Sequence, residues 1–181
     1  MCNNFALQPT YIWIHFTLEY ILRDQFVELL ESHQNIVHKV CRIYARDKAS
    51  HDDLFQEITI QLWQAYPKFR GDSKFSTWMY RVALNTAITS YRKEKRQRHQ
   101  LDIDDFPNAL KAEPYDNTMD RQMEALYGAI DQLNDIDKAL VLLYVEDKNY
   151  QEISETLGIS EVNARVKMNR IKTKLKTLIN P

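Results

Sequence analysis

Apolar residues recur at helical spacing along most of the chain. From Phe26 to Tyr44 they fall at Phe26, Leu29, Leu30, Ile36, Val37, Val40, Cys41 and Tyr44, the spacing of one amphipathic helix of about five turns. Asp52 or Asp53 can cap a second helix reaching about Tyr66, with Leu54, Ile58, Leu62 and Ala65 inward, and Pro67 ends it. A short polar connector, KFRGDSK, precedes a third helix that Ser73 or Ser76 can cap. Trp78, Val82, Ala83, Ala87 and Tyr91 mark its apolar side, and it runs without a break into a basic block ending near Arg98. Three helices with this aromatic content predict a self-contained bundle.

Residues 99–118 sustain no period and include Pro107 and Pro114. They predict a linker. Periodicity returns at Met119, with Met123, Leu126, Ile130 and Leu133 on one face, and Asp135 can cap a further helix carrying Ile136, Ala139, Leu140, Leu143 and Tyr144. The segment from Tyr150 then reads YQEISETLGISEVNARVKMNRIKTKLK. A short helix with Ile153 and Leu157 inward stops at Gly158, which can adopt the left-handed conformation. Ile159 turns back to the core and Ser160 caps the next helix, whose apolar residues are Val162, Val166, Ile171 and Leu175. This is the pattern of a helix-turn-helix.

The predicted fold is therefore all-α, with two small helical domains joined by an acidic linker: an extension at 1–22, a first domain at 23–98, the linker at 99–118, and a helix-turn-helix domain at 119–181. Composition narrows the chemistry. The three glycines, Gly71, Gly128 and Gly158, lie far apart, which excludes a glycine-rich phosphate cradle and disfavours hairpins. The net charge of −1 hides two basic blocks. Arg92, Lys93, Lys95, Arg96 and Arg98 form one, and Arg165, Lys167, Arg170, Lys172, Lys174 and Lys176 form the other. Between them lie Asp102, Asp104, Asp105, Glu113, Asp116 and Asp120. Such a distribution suits two separate nucleic-acid contacts.

Cys41, on an apolar stripe, reads as a buried thiol, and with Cys2 it makes no disulfide framework. His15, His33, His38, His51 and His99 never fall at ligand spacing, so no metal site is expected. No nucleophile–base pair or paired catalytic carboxylates can be placed, so neither an enzyme activity nor a cofactor nor a small-molecule substrate is expected. The apolar stretch Tyr11–Leu22 is too short to span a bilayer as a helix; it fits an added helix, an interfacial segment or upstream sequence equally.

In a helix-turn-helix the second helix enters the major groove and its early residues touch base edges. Here the residues expected to face outward are Glu161, Asn163, Arg165, Lys167, Asn169 and Arg170. Asn and Arg suit bidentate contacts with adenine and guanine, whereas Lys167 and Lys172 suit phosphates. A domain of about sixty residues neutralises few phosphates, so a further contact must hold such a protein on DNA.

Three blocks bear a family resemblance. FRGDSKFSTWMYRVALNTAITSYRKEKR, Phe69 to Arg96, resembles the promoter −10 region of extracytoplasmic-function sigma factors of the sigma-70 family. DDLFQEITIQLW, Asp52 to Trp63, resembles the helix with which that family clamps the RNA polymerase β′ coiled coil, and Tyr150 to Lys176 resembles its −35 reader. The resemblance implies core RNA polymerase (β′ coiled coil and β flap) and promoter DNA as partners, in the cytoplasm, and admits an anti-sigma factor. It implies strand capture by Phe69, Arg70, Asp72, Ser73, Lys74, Asn85, Arg92, Lys93 and Arg96. Polymerase binding falls on Asp53, Gln56, Glu57 and Trp63, and −35 recognition on Ser160, Glu161, Asn163, Arg165, Lys167 and Arg170. The acidic linker would thread channels that later hold nucleic acid.

One departure is visible. Many relatives begin the recognition helix with a Thr-Val-Lys-Ser-Arg-like run, whereas this chain reads Ser160-Glu161-Val162-Asn163-Ala164-Arg165-Val166-Lys167, so the −35 preference does not transfer. Two other functions fit parts of the pattern. A polymerase-independent helix-turn-helix regulator explains the C-terminal half alone, and a helical adaptor that sequesters a partner protein needs neither basic block.

Overall fold

The computed structural model describes residues 9–100 and 118–179, with side chains described for residues 20–97 and 125–179. Seven α-helices order the described residues: α1 Pro9–Tyr44, α2 Lys48–Ala65, α3 Phe75–Gln100, α4 Thr118–Asp131, α5 Asp135–Val145, α6 Tyr150–Leu157 and α7 Glu161–Ile179, with one 3₁₀ turn at Tyr66–Lys68. The described residues hold no strand, in agreement with the all-α expectation. Most of the expected linker, with Asp102, Asp104, Asp105, Glu113 and Asp116, lies outside the described residues.

Helix starts differ from the sequence expectation where a better cap lies upstream. Asp47, not Asp52 or Asp53, begins α2: its carboxylate accepts the Ser50 N–H at 2.8 Å, and the Ser50 hydroxyl takes the Asp47 N–H at 3.1 Å. This reciprocal box satisfies two donors at once. The Ser50 N–H and the Ser50 hydroxyl, both donated to the Asp47 carboxylate, hold its pKa below the ordinary value. Likewise Asn134 caps α5 by accepting the Asp137 N–H at 2.9 Å, which leaves the Asp135 carboxylate available for another partner. In α3 the Lys74 carbonyl accepts the Trp78 N–H at 3.1 Å, so Ser76 sits inside the first turn. Finally, α1 begins at Pro9, so Tyr11–Leu22 continues the helix predicted from Phe26, with Tyr20, Ile21 and Leu22 exposed. No helix of the described residues is long and apolar enough to cross a membrane.

The first module packs α1, α2 and α3 around Val37, Val40, Cys41, Leu54, Ile58, Leu62, Met79, Ala83, Leu84 and Ala87. Burial, then the charge of Asp52, pushes the Cys41 thiol up to about 12, which keeps it protonated at neutral pH. The second module packs α4 to α7 around Ile130, Leu133, Ala139, Leu140, Leu143, Ile153, Ala164, Met168 and Ile171. Three of the large apolar or aromatic residues noted in the sequence of these helices lie outside the core. Val162 is 72% exposed, Val166 42% and Tyr144 37%. In α7 the buried side is built by Ala164, Met168 and Ile171, whose steps of four and three keep one face, whereas the step of five from Val166 to Ile171 rotates by about 140°.

The two modules meet where α1 and α3 face α5 and α6. Lys39 Nζ pairs with Glu146 Oε2 at 2.6 Å, and Tyr80 donates its hydroxyl to the same oxygen at 3.1 Å. The Tyr44 hydroxyl donates to the Asp135 carbonyl at 2.6 Å, and the Asp135 carboxylate pairs with Arg92. At the centre Lys138 of α5 is fully buried. Its Nζ lies 2.8 Å from Asp131 Oδ1 of α4 and 5.2 Å from the ring centroid of Tyr91 of α3. A buried cation persists only when paired, and the carboxylate and ring face supply the pairing. Burial raises the Asp131 carboxyl pKa by more than Lys138 lowers it.

Removing one partner of a buried pair strands the other charge. Lys138→Ala is therefore expected to reduce unfolding free energy by about 3–5 kcal/mol in urea titration, and the double change Lys138→Met with Asp131→Leu to restore most of it. A single variant indistinguishable from the parent would show that the ammonium is not desolvated.

Candidate nucleic-acid and polymerase interface

Three exposed surfaces carry the candidate residues. The first follows α2. Asp53, Gln56 and Glu57 are exposed and lie on one side of the helix, opposite buried Leu54, Ile58 and Leu62. Ile60, one turn on, shares that side and is 51% exposed, a residue the helical periodicity passed over because it falls outside the core phase. Trp63 sits elsewhere. It is half-buried, with its ring edge on Phe26 at 5.2 Å between centroids.

The second surface joins the loop after the 3₁₀ turn to the outer side of α3. Gly71, at φ +77°, turns the loop, and Arg70, Asp72 and Lys74 are exposed while Ser73 is half-buried. Phe69 belongs to an aromatic cluster, 5.6 Å from Phe75 and 5.1 Å from Trp78. Its ring thus supports the loop from below. Lys74 also reaches Glu152 of α6 at 3.7 Å. Along α3, Asn85, Arg92, Lys93 and Arg96 are exposed, and at about 100° per residue Asn85, Arg92 and Arg96 make one stripe. Arg81 is exposed on the same stripe four residues before Asn85, a spacing that could have identified it. Arg92 is shared: it pairs with Asp135 across the seam.

The third surface is α7. Asn149 and Glu152 form a reciprocal capping box that starts α6, with bonds of 2.9 Å and 3.1 Å. Gly158 ends it at φ +67°, its N–H bonded to the Ser154 carbonyl at 2.9 Å. Ser160 then accepts the Asn163 N–H at 3.2 Å and caps α7. Glu161, half-buried, pairs with Arg165 at 3.2 Å, and the Arg165 guanidinium lies 4.6 Å from the Tyr150 ring centroid. Several cations lean back on the domain. Lys167 reaches Asp137 at 3.3 Å, Lys172 the Tyr144 hydroxyl at 2.7 Å, and Lys174 the Gln132 carbonyl at 3.0 Å. That phenolic partner raises the Lys172 pKa. Asn163, Asn169 and Arg170 remain exposed. Among the described residues no group of three or more His, Cys, Asp or Glu is placed to hold a metal ion.

Two family descriptions match the chain, Sigma-70 region 2 over residues 29–97 and Sigma-70, region 4 over residues 123–175. The chain belongs to the extracytoplasmic-function group of the sigma-70 family. The ECF RNA polymerase sigma factor SigM of Bacillus subtilis is 29% identical over 160 residues, covering 84% of this chain and 94% of that one. The ECF RNA polymerase sigma-E factor of Escherichia coli is 27% identical over 157 residues, covering 80% and 82%. Among solved structures, the sigma factor RpoE in complex with the anti-sigma factor NepR from Bartonella quintana superposes with a TM-score of 0.70 at 14% identity, over 86% of this chain and 96% of that one. CnrH in complex with the cytosolic domain of CnrY gives 0.63 at 18%, over 87% and 89%. In this sigma factor the region 2 match contains the α2 and α3 surfaces, and the region 4 match contains nearly all of α7.

The turn that sets α7 against α6 can be tested directly. A Cβ added at Gly158 meets nothing within 4 Å, so its cost is the backbone conformation alone. Gly158→Ala should lower stability by about 1–2 kcal/mol in thermal melts, and an unchanged melting temperature would contradict the left-handed turn.

Proposed function

We propose how this sigma factor, which directs transcription initiation, divides its work. The domain limits are 23–98 and 119–181. The α2 side formed by Asp53, Gln56, Glu57 and Ile60 binds core RNA polymerase at the β′ coiled coil, with Trp63 buttressing it from within. The C-terminal domain meets the β flap. The loop Arg70–Lys74 and the α3 stripe of Arg81, Asn85, Arg92 and Arg96 capture the opened −10 strand, with Lys93 on its flank. Ser160, Glu161, Asn163, Arg165, Lys167 and Arg170 bring α7 to the −35 duplex.

The observation that supports this most is the presence of two basic faces on two modules, one beside a turning polar loop and one on a capped helix-turn-helix. Extruding a base costs a few kcal/mol, which contacts from loop and stripe offset. Phosphate contacts on α7 hold the duplex, and polymerase supplies the affinity that a small domain lacks. The chain performs no bond chemistry in this reading; polymerase does, and the protein acts in the cytoplasm beside it. The acids Asp102, Asp104 and Asp105 would imitate nucleic acid in the polymerase channels. An anti-sigma factor is a further proposed partner, since both solved relatives are in complex with a second chain and RpoE's is named as one.

Run-off transcription with purified core polymerase tests the whole. Arg92→Ala with Arg96→Ala is expected to reduce run-off roughly tenfold on duplex promoters, a loss of about 1.4 kcal/mol against the extrusion cost, and a premelted template should restore it. Loss on both templates would place the two arginines outside strand capture, and failure to bind core polymerase would overturn the assignment as a whole.

A further inference from the structure

Val162 and Val166 stand out on α7. The helix buries Ala164, Met168 and Ile171, and directly opposite, within about 30° at 100° per residue, lie Val162, Val166 and Thr173. Asn169 borders this strip on one side and Arg170 on the other, both exposed. The strip therefore faces outward at the centre of the surface that a groove-bound helix presents to base edges, while the basic side chains lie toward its margins.

Valine is a weak choice for an exposed helix position. It carries lower helix propensity than alanine and gains nothing from burial there. Single exposed apolar residues are common on protein surfaces. Two of them one turn apart, in the first two turns of a recognition helix and at the middle of its outer face, form a pattern. The β-branched side chain is stiff at χ1, so each isopropyl group is presented with little freedom to lose on contact. In the major groove the one apolar feature of a base-pair edge is the C5-methyl group of thymine.

We propose that Val162 and Val166 read thymine methyl groups in the duplex contacted by α7. The proposal rests on the reading that α7 enters the −35 element, and it adds a sequence preference: thymines at positions within about two base-pair steps of each other, matching the ~6 Å that four helical residues advance. Asn169 and Arg170 take hydrogen bonds on either side of the valines.

The test uses holoenzyme, the full chain with core polymerase. Preferred −35 sequences are first selected from a randomised duplex library, and each thymine is then replaced by deoxyuridine, which removes the methyl group and leaves base pairing unchanged. Wild-type holoenzyme should lose roughly three- to fourfold in affinity for each methyl read. Holoenzyme carrying Val162→Ala and Val166→Ala should be indifferent to the same replacements, and its own selection should lose the thymines. Both valines are exposed, so a thermal melt of the variant no lower than the parent's is expected and verifies folding.

If the wild type selects a −35 sequence but is indifferent to deoxyuridine throughout, the valine assignment is overturned while α7's place on the duplex stands. If it selects no −35 sequence at all, the underlying reading fails with it. Equal weakening of the variant on thymine and deoxyuridine duplexes also overturns the proposal, because the valines would then act without the methyl. So does unchanged duplex binding together with lost affinity for a protein partner, which would make the strip a protein-docking surface.

Discussion

A helix on the surface of a small domain can commit one side only to the core, and in α7 that commitment is made by Ala164, Met168 and Ile171. Packing against α4, α5 and α6 fixes the rotation of α7 about its own axis. Everything the C-terminal module offers to duplex DNA follows from that angle: which asparagines face outward, which lysines fold back toward Asp137, Tyr144 and Gln132, and which valines are left uncovered. A small core can hold the angle because interiors are close-packed, so even an alanine contributes by letting α7 approach its neighbours.

The contact between modules rests on a different balance. Lys138 is wholly desolvated and anchored by Asp131 and the Tyr91 ring, so disturbing it is costly. The pairs around it are of another kind. Lys39 with Glu146, Lys74 with Glu152 and Arg92 with Asp135 each keep at least one side chain substantially exposed, and pairs of this type contribute about 0–1 kcal/mol. The pairs of Lys74 and Arg92 are cheap to exchange for phosphate oxygens, which suits side chains assigned to nucleic acid. The seam thus joins one expensive contact to several inexpensive ones.

Much of this was legible in the sequence. The helix-turn-helix was readable because Gly158 and Ser160 are local signals whose conformations, φ +67° and a side-chain cap, need no distant partner. The helices of the first module were readable from period, save for the earlier start of α1, whereas Asp53, Glu57, Asn85 and Arg92 were singled out by the family resemblance and all four are exposed. The caps were less legible, because several residues near each start could serve, and Asp47 and Asn134 prevailed by the bonds they complete. Ile60 escaped notice because it lies outside the core phase, and Arg81 because its four-residue spacing from Asn85 was not followed back along α3. The family resemblance named Phe69 and Trp63 as contacts, and neighbouring rings half-cover both.

From the order of its residues alone, this chain was committed to helices, to two modules, to a turn at Gly158 and to basic charge concentrated at two places, because propensity, capping and charge are local properties. Period alone named the inward residues Leu54, Ile58 and Leu62 of α2 and Ile153 of α6, whereas the contacts between helices far apart in the chain were decided only by assembly. In α7 the spacing of Ala164, Met168 and Ile171 sets them on one face, apart from Val162 and Val166, and α4, α5 and α6 supply the surface against which that face is buried. Lys138 makes the same point in reverse: a lysine is buried only where a distant carboxylate and ring are brought to meet it, and no local rule announces that meeting.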